Sequence, residues 1–228
     1  MPETYTVRQL SPIRKIIAAR MTEAKQTIPH FRLTADIEVD ALLAARKLLC
    51  AQNSPAKVSI NDLLIKACAG ALMDVPAINI QWIEGEIRQF ASANISVVTA
   101  LEDGLATPII RNAEIKSVWE IAKELKELSA RAAQNGLKMH EVFGGSFSVS
   151  NLGMHGVDHF DAIINPPQCA ILAIGAAKQR AVVGSEGELH VATVLRATLS
   201  IDHRALDGVV GAKFLAALRA RAQRPAGL

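Results

Sequence analysis

Apolar residues recur at intervals of three or four positions along several stretches of this chain, and this spacing is typical of helices that bury one face. The pattern predicts helices over residues 11–27, 41–50, 60–73, 117–135 and 209–221. The third of these is apolar on nearly every side, which favours a helix buried among other elements. Helices therefore supply much of the predicted core.

Shorter apolar runs, some of them alternating with polar residues, predict β-strands. They cover residues 31–39, 78–83, 86–90, 95–100, 106–110, 144–150, 169–177 and 193–201, with a turn over 101–105 and a hairpin around 184–187. The helices and strands do not alternate regularly, and no Gly-x-Gly-x-x-Gly follows a strand. The predicted class is therefore α/β with mixed groups of strands, and not a Rossmann fold.

Capping residues stand where the apolar patterns begin and end. Ser11 followed by Pro12, Asp40 and Ser117 each precede a predicted helix, as helix N-caps do. Gly136 follows the long fourth helix and is a natural residue for its C-terminal cap. These positions predict helix ends more sharply than the apolar pattern does.

Composition narrows the classes of protein that fit. The 228 residues are half hydrophobic, which suits one well-packed globular domain. The net charge of +3 is small and evenly spread, so we expect no nucleic-acid partner. No apolar run approaches the ~20 residues of a membrane span, and the N-terminus does not resemble a signal peptide. Cys50, Cys68 and Cys169 lack metal-ligand spacing and predict buried thiols in a reducing compartment.

The segment with the clearest chemical character contains His203, Asp207 and Gly208, between the last predicted strand and the last predicted helix. Histidine can both accept and donate a proton near neutral pH, and a strand end holds it rigidly. Asp207 either orients the imidazole or lines the same pocket, or it caps the helix that follows. The motif alone leaves these interpretations open.

Ser150 also lies at a predicted strand end beside a turn. Together with His203 and Asp207 it suggests a Ser-His-Asp hydrolase, although the Gly-x-Ser-x-Gly nucleophile elbow is missing. A second interpretation is that Ser150 donates a hydrogen bond to a developing oxyanion while His203 acts as base for an external nucleophile. A third is a turn serine that bonds its own backbone.

Three further histidines raise the question of a metal site. His30, His155 and His159 could combine with Asp158 and Asp161, but their spacing matches no ligand pattern. We expect structural or surface roles for all five residues and no metal.

Six segments, in one order along nearly the whole chain, resemble those of a known family. They are Arg14-Lys-Ile-Ile-Ala-Ala-Arg-Met21, Ile28-Pro-His-Phe31, Asp103-Gly-Leu-Ala-Thr-Pro-Ile-Ile-Arg-Asn112, Phe147-Ser-Val-Ser-Asn-Leu-Gly153, Ile164-Asn-Pro-Pro-Gln-Cys-Ala-Ile-Leu172 and Asp202-His-Arg-Ala-Leu-Asp-Gly208. The family is that of the catalytic cores of the dihydrolipoamide acyltransferases, the E2 components of 2-oxo acid dehydrogenase complexes. The resemblance implies a two-layer fold like that of chloramphenicol acetyltransferase. It implies one catalytic domain over residues 1–228 with an N-terminal arm of about 10 residues. The lipoyl and subunit-binding domains of natural chains of the family are a point of departure, because we expect neither within these residues.

The resemblance also implies roles for individual residues. His203 would be the general base that takes the proton from the thiol of coenzyme A, and Ser150 would stabilise the oxyanion. Asp207 stands where the family carries Asp or Asn, close to the catalytic histidine. Asp202 and Arg204 would be structural charges that steady the loop. The implied contacts to coenzyme A are Arg46, Ser59, Asn151 and Gly175.

The family implies partners as well. The chain would form homotrimers in which His203 and Ser150 of one site come from different chains, and trimers would assemble into cubic or dodecahedral particles. A separate lipoyl domain would supply the lipoyl group, with E1 and E3 components in the full complex, in the bacterial cytoplasm or the mitochondrial matrix. The loops at residues 150–154 and 164–168 look most like the pyruvate (acetyl) branch. Branched-chain, succinyl or acetoin-type transfer, a serine hydrolase and a non-catalytic assembly scaffold are the alternatives.

Overall fold

A computed structural model describes residues 4–51, 57–101, 104–184 and 186–225 of the chain. Parts of the predicted arm, of the turn at 101–105 and of the hairpin around 184–187 lie outside these ranges. The described helices are α1 (Pro12–Thr27), α2 (Asp40–Ala51), α3 (Ile60–Asp74), α4 (Val118–Ala133), α5 (Met139–Val142) and α6 (Gly208–Gln223). The five predicted helices are all confirmed, and only the single-turn α5 was not predicted.

Two of the predicted N-terminal caps, Ser11 and Ser117, are formed by the side chains expected to form them, whereas the left-handed residue after α4 is Asn135 and not the predicted Gly136. The hydroxyl of Ser11 accepts the N–H of the third residue after it, and Ser59 and Ser117 form reciprocal capping boxes with the acidic residue three positions later. The capping prediction for Asp40 is wrong. Its carboxylate accepts the backbone N–H of Thr193 at 2.7 Å, so it links the start of α2 to a strand instead.

The strands form one mixed sheet and two small hairpins. The main sheet has the order β1-β11-β9-β8-β4-β7, with β10 paired to β11, while β2 pairs with β3 and β5 with β6. This arrangement confirms the predicted α/β class. The strands are β1 (His30–Glu38), β2 (Ile80–Ile83), β3 (Glu86–Gln89), β4 (Ile95–Val97), β5 (Thr99–Leu101), β6 (Gly104–Ala106), β7 (Ile109–Ile110), β8 (Phe147–Asn151), β9 (Ala170–Ile174), β10 (Lys178–Val183) and β11 (Leu189–Asp202).

Several strand boundaries differ from the prediction for local reasons. The run at 106–110 is interrupted at Pro108, which has no N–H for a ladder and instead accepts the N–H of Val97 at 2.8 Å. The run at 78–83 begins with the short 3₁₀ helix Pro76–Ile78. The last strand starts at Leu189, four residues earlier than predicted, because it pairs with β10 in a long hairpin.

The two faces of the sheet differ in character. One face carries Phe147, Val149, Leu199 and Ile201, which are buried in the main core together with α3 and α6. The opposite face carries the alternate residues of the same strands, including Ser148, Ser150, Thr198 and Ser200. A smaller cluster of Ala24, Ile28, Ile164 and Ile171 packs α1 and the 164 region onto this second face. The side chains of the candidate site are thus distributed over both faces.

Candidate active site

His203 is held at the point where β11 ends. Its backbone N–H donates to the carbonyl of Pro29 at 3.0 Å, just before the first residue of β1. Its ring packs against Phe31, with ring centroids 4.9 Å apart and the planes at 74°. The residue is exposed, and its ring nitrogens make no hydrogen bond with any residue in the described part of the chain. The imidazole is therefore oriented but available to a substrate.

The residues on either side of His203 form an ion pair that fixes the turn. The carboxylate of Asp202 is 1% exposed and accepts hydrogen bonds from the backbone and guanidinium N–H groups of Arg204. This bonding raises the pKa of Arg204 above its ordinary value. The guanidinium also lies 5.5 Å from the centre of the Trp82 ring. The expected structural role of both charges is confirmed.

Asp207 caps α6: its Oδ1 accepts the backbone N–H of Val210 at 2.9 Å. It makes no hydrogen bond to the His203 ring among the described residues, so the capping interpretation is the one observed. Gly208 then lets the helix approach β1 closely, since a Cβ at this position would lie 3.1 Å from Cε1 of Phe31. His203, Phe31 and the start of α6 consequently form one cluster.

Ser150 presents an unused hydroxyl. It is the penultimate residue of β8 and is 8% exposed. Ser148, two residues earlier on the same face, donates to the buried side chain of Gln168, whereas the Ser150 hydroxyl makes no hydrogen bond within the described part of the chain. The turn-serine interpretation is therefore wrong, and the hydroxyl can donate to an incoming ligand.

Ser150 and His203 lie at opposite ends of the sheet. Ser150 is level with Ala173 on β9, which is level with Thr198 on β11, and β11 runs antiparallel to β9. His203 follows five residues after Thr198, about 17 Å farther along the strand and two strands away. The two residues of one chain are therefore roughly 20 Å apart. This separation excludes a Ser-His nucleophile pair within one chain, because such a pair needs hydrogen-bond distance.

Three of the four expected coenzyme A contacts lie around the start of α3. Arg46 on α2 donates from Nε to the carbonyl of Val58 at 3.0 Å, next to the capping serine Ser59. Asn151, which follows Ser150, donates from Nδ2 to Oδ1 of Asn61 at 3.0 Å. This end of the sheet thus brings the Ser150 region and the expected cofactor contacts together.

Gly175 lies close by but has a packing reason for being glycine. It follows β9, whose last residue Ile174 pairs with Asn151. A Cβ on Gly175 would lie 2.0 Å from the backbone oxygen of Asp158, a distance that no side chain tolerates. Its identity is thus explained without a ligand.

His30 is bonded on both sides of its ring. Nδ1 lies 2.8 Å from the carbonyl of Ile28, and Nε2 lies 3.0 Å from the backbone nitrogen of Ile164. Since the N–H of Ile164 can only donate, this network assigns a neutral ring with its proton on Nδ1. Burial lowers the pKa of His30 below its ordinary value. The predicted structural role is confirmed.

The other residues of the metal set that the sequence raised make no hydrogen bond to His30 in the described part of the chain. Asp158 pairs with Lys178 and Asp161 with Arg32 across exposed surface. His155 and His159 are exposed in the segment after β8. Within the described ranges, no three His, Cys, Asp or Glu side chains are grouped as metal ligands.

The cysteines are not all buried. Cys68 and Cys169 are, and burial raises the pKa of the Cys169 thiol to about 12. Cys50 is exposed on α2, so that part of the prediction is wrong.

Among the described helices, none combines the length and apolar character needed to cross a membrane.

Two contributors to the site were missed in the sequence. The sequence places Phe31 in a predicted strand and in one of the family segments without a role in the site, and it places Asn61 only in the third helix. The alternation that places Phe31 on the His203 face depends on the pairing of β1 with β11, which periodicity does not reveal. Nothing in the sequence around Asn61 marks it as a residue of the site.

A model of one protein family matches residues 2–228 of the chain. Its description is the catalytic domain of the 2-oxoacid dehydrogenases acyltransferase family. The chain belongs to this family. The acetyltransferase component of the pyruvate dehydrogenase complex of Rickettsia bellii is 45% identical over 99% of the chain. The chain covers 54% of that protein, and it spans about half the length of the curated relatives that it matches.

Solved structures agree with this assignment of the acyltransferase family. The dihydrolipoamide acetyltransferase of Azotobacter vinelandii, studied for the roles of a serine, a histidine and an asparagine in catalysis, superimposes with a TM-score of 0.93 at 26% identity. That match covers 97% of this chain and 93% of the other. A truncated catalytic core from Thermoplasma acidophilum gives 0.85 at 29% identity, with coverage of 97% and 99%.

The predicted likeness to chloramphenicol acetyltransferase is also confirmed at the level of the fold. That structure superimposes with a TM-score of 0.59 at 14% identity, covering 89% of this chain and 92% of the other. Such low identity supports the shared architecture alone.

Proposed function

We propose that this acyltransferase domain transfers an acyl group between the dihydrolipoyl thiol of a lipoyl domain and coenzyme A, and that the acyl group is acetyl. The observation that carries the proposal is the family match over residues 2–228, combined with an exposed, oriented His203 and an unbonded Ser150 hydroxyl. In the Azotobacter study the histidine and asparagine stand four positions apart, as His203 and Asp207 do here.

The residues suit a direct transfer between two thiols. His203 takes the proton from the thiol of coenzyme A, and the resulting thiolate attacks the carbonyl carbon of acyl-dihydrolipoamide. The carbonyl oxygen becomes an oxyanion that accepts a hydrogen bond from Ser150. Collapse of the tetrahedral intermediate breaks the bond between the carbonyl carbon and the dihydrolipoyl sulfur, and this sulfur receives the proton that His203 took from coenzyme A. Asp207 helps by fixing the start of α6 beside the histidine.

This mechanism needs two copies of the chain, because Ser150 and His203 of one chain are roughly 20 Å apart. We propose a homotrimer in which each site combines Ser150 of one chain with His203 of a neighbour. Large apolar side chains exposed along the arm and α1 support association, since water-exposed apolar surface of this kind favours burial in an interface. They include Tyr5, Val7, Leu10, Ile13 and Ile16.

Coenzyme A would approach from the Ser150 end of the sheet. Arg46, Ser59 and Asn151 surround the start of α3 there, and Gly175 lies next to Asn151 in the sheet. A guanidinium suits the phosphates of the cofactor, and the amide and hydroxyl suit its pantetheine arm. The reacting thiol would then reach the Ser150 hydroxyl at the strand end.

The proposal extends to the wider assembly because the chain belongs to this family. The lipoyl group would come on a separate domain, and E1 and E3 components would complete the complex in the bacterial cytoplasm or the mitochondrial matrix. A related core is described as the cubic core of the pyruvate dehydrogenase complex, and we propose a cubic or dodecahedral particle here. The names of the relatives favour acetyl over branched-chain, succinyl or acetoin-type acyl groups.

The test is acyl transfer from acetyl-CoA to free dihydrolipoamide by the wild type and by His203→Ala. We expect the variant to lose about 10²- to 10⁴-fold in rate, as removal of a general base does, with assembly unchanged. A wild type that is inactive with acetyl, succinyl and isobutyryl donors would favour the scaffold. Covalent labelling of Ser150 by a fluorophosphonate would favour the hydrolase, whereas acyl transfer predicts no label.

A further inference from the structure

A tryptophan lies beside the turn that carries His203. The guanidinium carbon of Arg204 is placed over the Trp82 ring, 5.5 Å from its centre, which is within the distance at which a cation and an aromatic face attract each other. Arg204 is exposed, whereas Trp82 is half-buried and packs against the main core. The sequence places Trp82 only in a predicted strand. The contact therefore ties the turn to β2, an element distant from it in the chain.

The ring of Trp82 acts on a guanidinium that is already bound to a carboxylate. Nε and Nη2 of Arg204 donate to the two carboxylate oxygens of Asp202 at 2.9 and 2.7 Å. This ion pair is open on one side, because the Arg204 side chain is 36% exposed while that of Asp202 is 1% exposed. Arginine can combine bidentate bonding to a carboxylate with packing on an aromatic ring. Trp82 thus restricts the part of Arg204 that the carboxylate leaves free.

Trp82 is itself held firmly. Its backbone N–H donates to the carbonyl of Pro167 at 2.8 Å, and its partner across the β2–β3 hairpin is Ile87. The segment containing Pro167 also reaches the turn, since the backbone N–H of Asp202 donates to the carbonyl of Cys169 at 2.8 Å. The backbone bond at Cys169 and the side-chain contact at Trp82 consequently fix the turn against the same neighbouring segment.

The backbone of the turn connects this contact to the imidazole. The N–H groups of Ala205 and Leu206 donate to the carbonyl of Asp202 at 3.1 and 3.0 Å, and His203 lies inside the loop that these bonds close. His203 and Arg204 are adjacent, so a movement of the guanidinium away from the ring is transmitted to the backbone of the histidine. The direction of the imidazole therefore depends on where Arg204 is held.

We infer that Trp82 is a positioning residue, which acts through Arg204 to fix the turn that presents His203. The inference rests on the proposed function, in which His203 is the general base, and it extends that function to β2. Trp82 touches none of the reacting atoms. Its effect on the rate comes from alignment, because a general base that is displaced even slightly is much less effective.

Backbone hydrogen exchange of the assembled protein tests the inference without reference to the reaction. We expect Trp82→Leu to speed exchange about tenfold in the peptide that carries the amides of His203, Ala205 and Leu206, because the turn opens more often. Trp82→Phe keeps an aromatic face and should remain close to the wild type.

The chain offers a matched control in its second tryptophan. Trp119 is also half-buried against the main core, but it lies on α4. Trp119→Leu removes a comparable ring and should leave exchange at the turn unchanged. Unchanged exchange at the turn in Trp82→Leu, or an equal increase in Trp119→Leu, would overturn the inference.

A double-mutant cycle asks whether Trp82 acts through Arg204. In acyl transfer, Trp82→Leu should lower kcat about fivefold with KM for coenzyme A unchanged, because the imidazole is less often aligned. Arg204→Lys keeps the positive charge and loses the planar group that packs on the ring. In that background Trp82→Leu should lower kcat no further. Losses that multiply, or a change confined to KM, would overturn the inference.

The two measurements separate this inference from the proposed function. Faster exchange in Trp82→Leu, together with a wild type that transfers no acyl group, would remove the proposed function and still show that Trp82 fixes the turn. Faster exchange with an unchanged kcat in an active enzyme would overturn the positioning role. If Trp82→Leu does not assemble, Arg204→Lys tests the contact from its other side, and unchanged exchange in that variant would overturn the inference.

Discussion

The ring of Phe31 meets the imidazole of His203 nearly at right angles, with the ring centroids 4.9 Å apart. Phe31 is 40% exposed, so its ring is only partly used for the core. Its Cε1 and Cζ atoms lie close to Gly208 at the start of α6. The ring thus contacts both the histidine and the start of the helix, and it limits the orientations that the imidazole can adopt.

Replacing Phe31 tests this positioning role. We expect Phe31→Leu to lower kcat about tenfold with little change in KM, because a mobile imidazole is less often aligned with the thiol. Phe31→Tyr keeps the ring and should keep the rate. Nuclear magnetic resonance supplies a readout apart from activity: the ring protons of His203 should lose their ring-current shift in the leucine variant. An unchanged shift together with an unchanged kcat would contradict the role.

The stability of the fold should depend on the titration of His30. Burial lowers the pKa of His30 below its ordinary value of 6.5, so the imidazole binds a proton more readily in the unfolded chain than in the folded protein. The contribution of His30 to the unfolding free energy is therefore fully present above pH 6.5, and it is lost as the pH falls toward the pKa of the folded state. The protonated ring also loses its ability to accept the N–H of Ile164.

The measurement is the thermal midpoint of wild type and His30→Gln, at one protein concentration, between about pH 7.5 and about pH 5. The wild type should lose more of its midpoint over this interval than the glutamine variant, whose side chain does not titrate. The other histidines contribute to both proteins alike. Parallel curves would show that His30 does not carry the dependence.

The ion pair beside His203 should matter more than an exposed pair of the same type. Asp202→Asn leaves Arg204 without its buried partner, and we expect a loss of about 2 kcal/mol in unfolding free energy. Asp36→Asn removes the exposed partner of Arg196 and should lose less than about 1 kcal/mol. Chemical denaturation of both variants checks the contrast. Equal losses of unfolding free energy in the two variants would mean that the burial of Asp202 does not strengthen its ion pair with Arg204.

Much of the local structure could be predicted because it is encoded over a few neighbouring residues. Ser11 and Ser117 cap helices as expected, and Asp207 caps α6 as one interpretation of its motif required. Asp40 fails as a cap because a strand distant in sequence offers the N–H of Thr193. Long-range bonding of this kind leaves no trace in the pattern around Asp40 itself.

The candidate site was harder to predict for the same reason. Ser150 and His203 both stand at strand ends, and these positions alone leave open a Ser-His-Asp site within one chain. The family resemblance implies instead that the two residues come from different chains. Whether two strand ends meet depends on strand order and direction, and these are set by pairing across the whole sheet. The antiparallel relation of β11 to β9 places the two residues far apart. Likewise, the grouping of Asn61 with Asn151 depends on how α3 packs on the sheet.

In the proposed mechanism Ser150 and His203 act together from different chains. Co-expression of Ser150→Ala and His203→Ala chains, followed by purification of the mixed assemblies, tests this arrangement. Each variant alone should lack most of the acyl transfer activity. In a random mixture, about a quarter of the sites in a cyclic trimer combine an intact serine with an intact histidine.

We expect the mixed assemblies to recover about a quarter of the wild-type rate of acyl transfer from acetyl-CoA to dihydrolipoamide. Mixing the two variants after separate purification, without exchange of chains, is the control and should recover nothing. Mixed assemblies whose rate is only the average of the two inactive parents would contradict a site shared between chains.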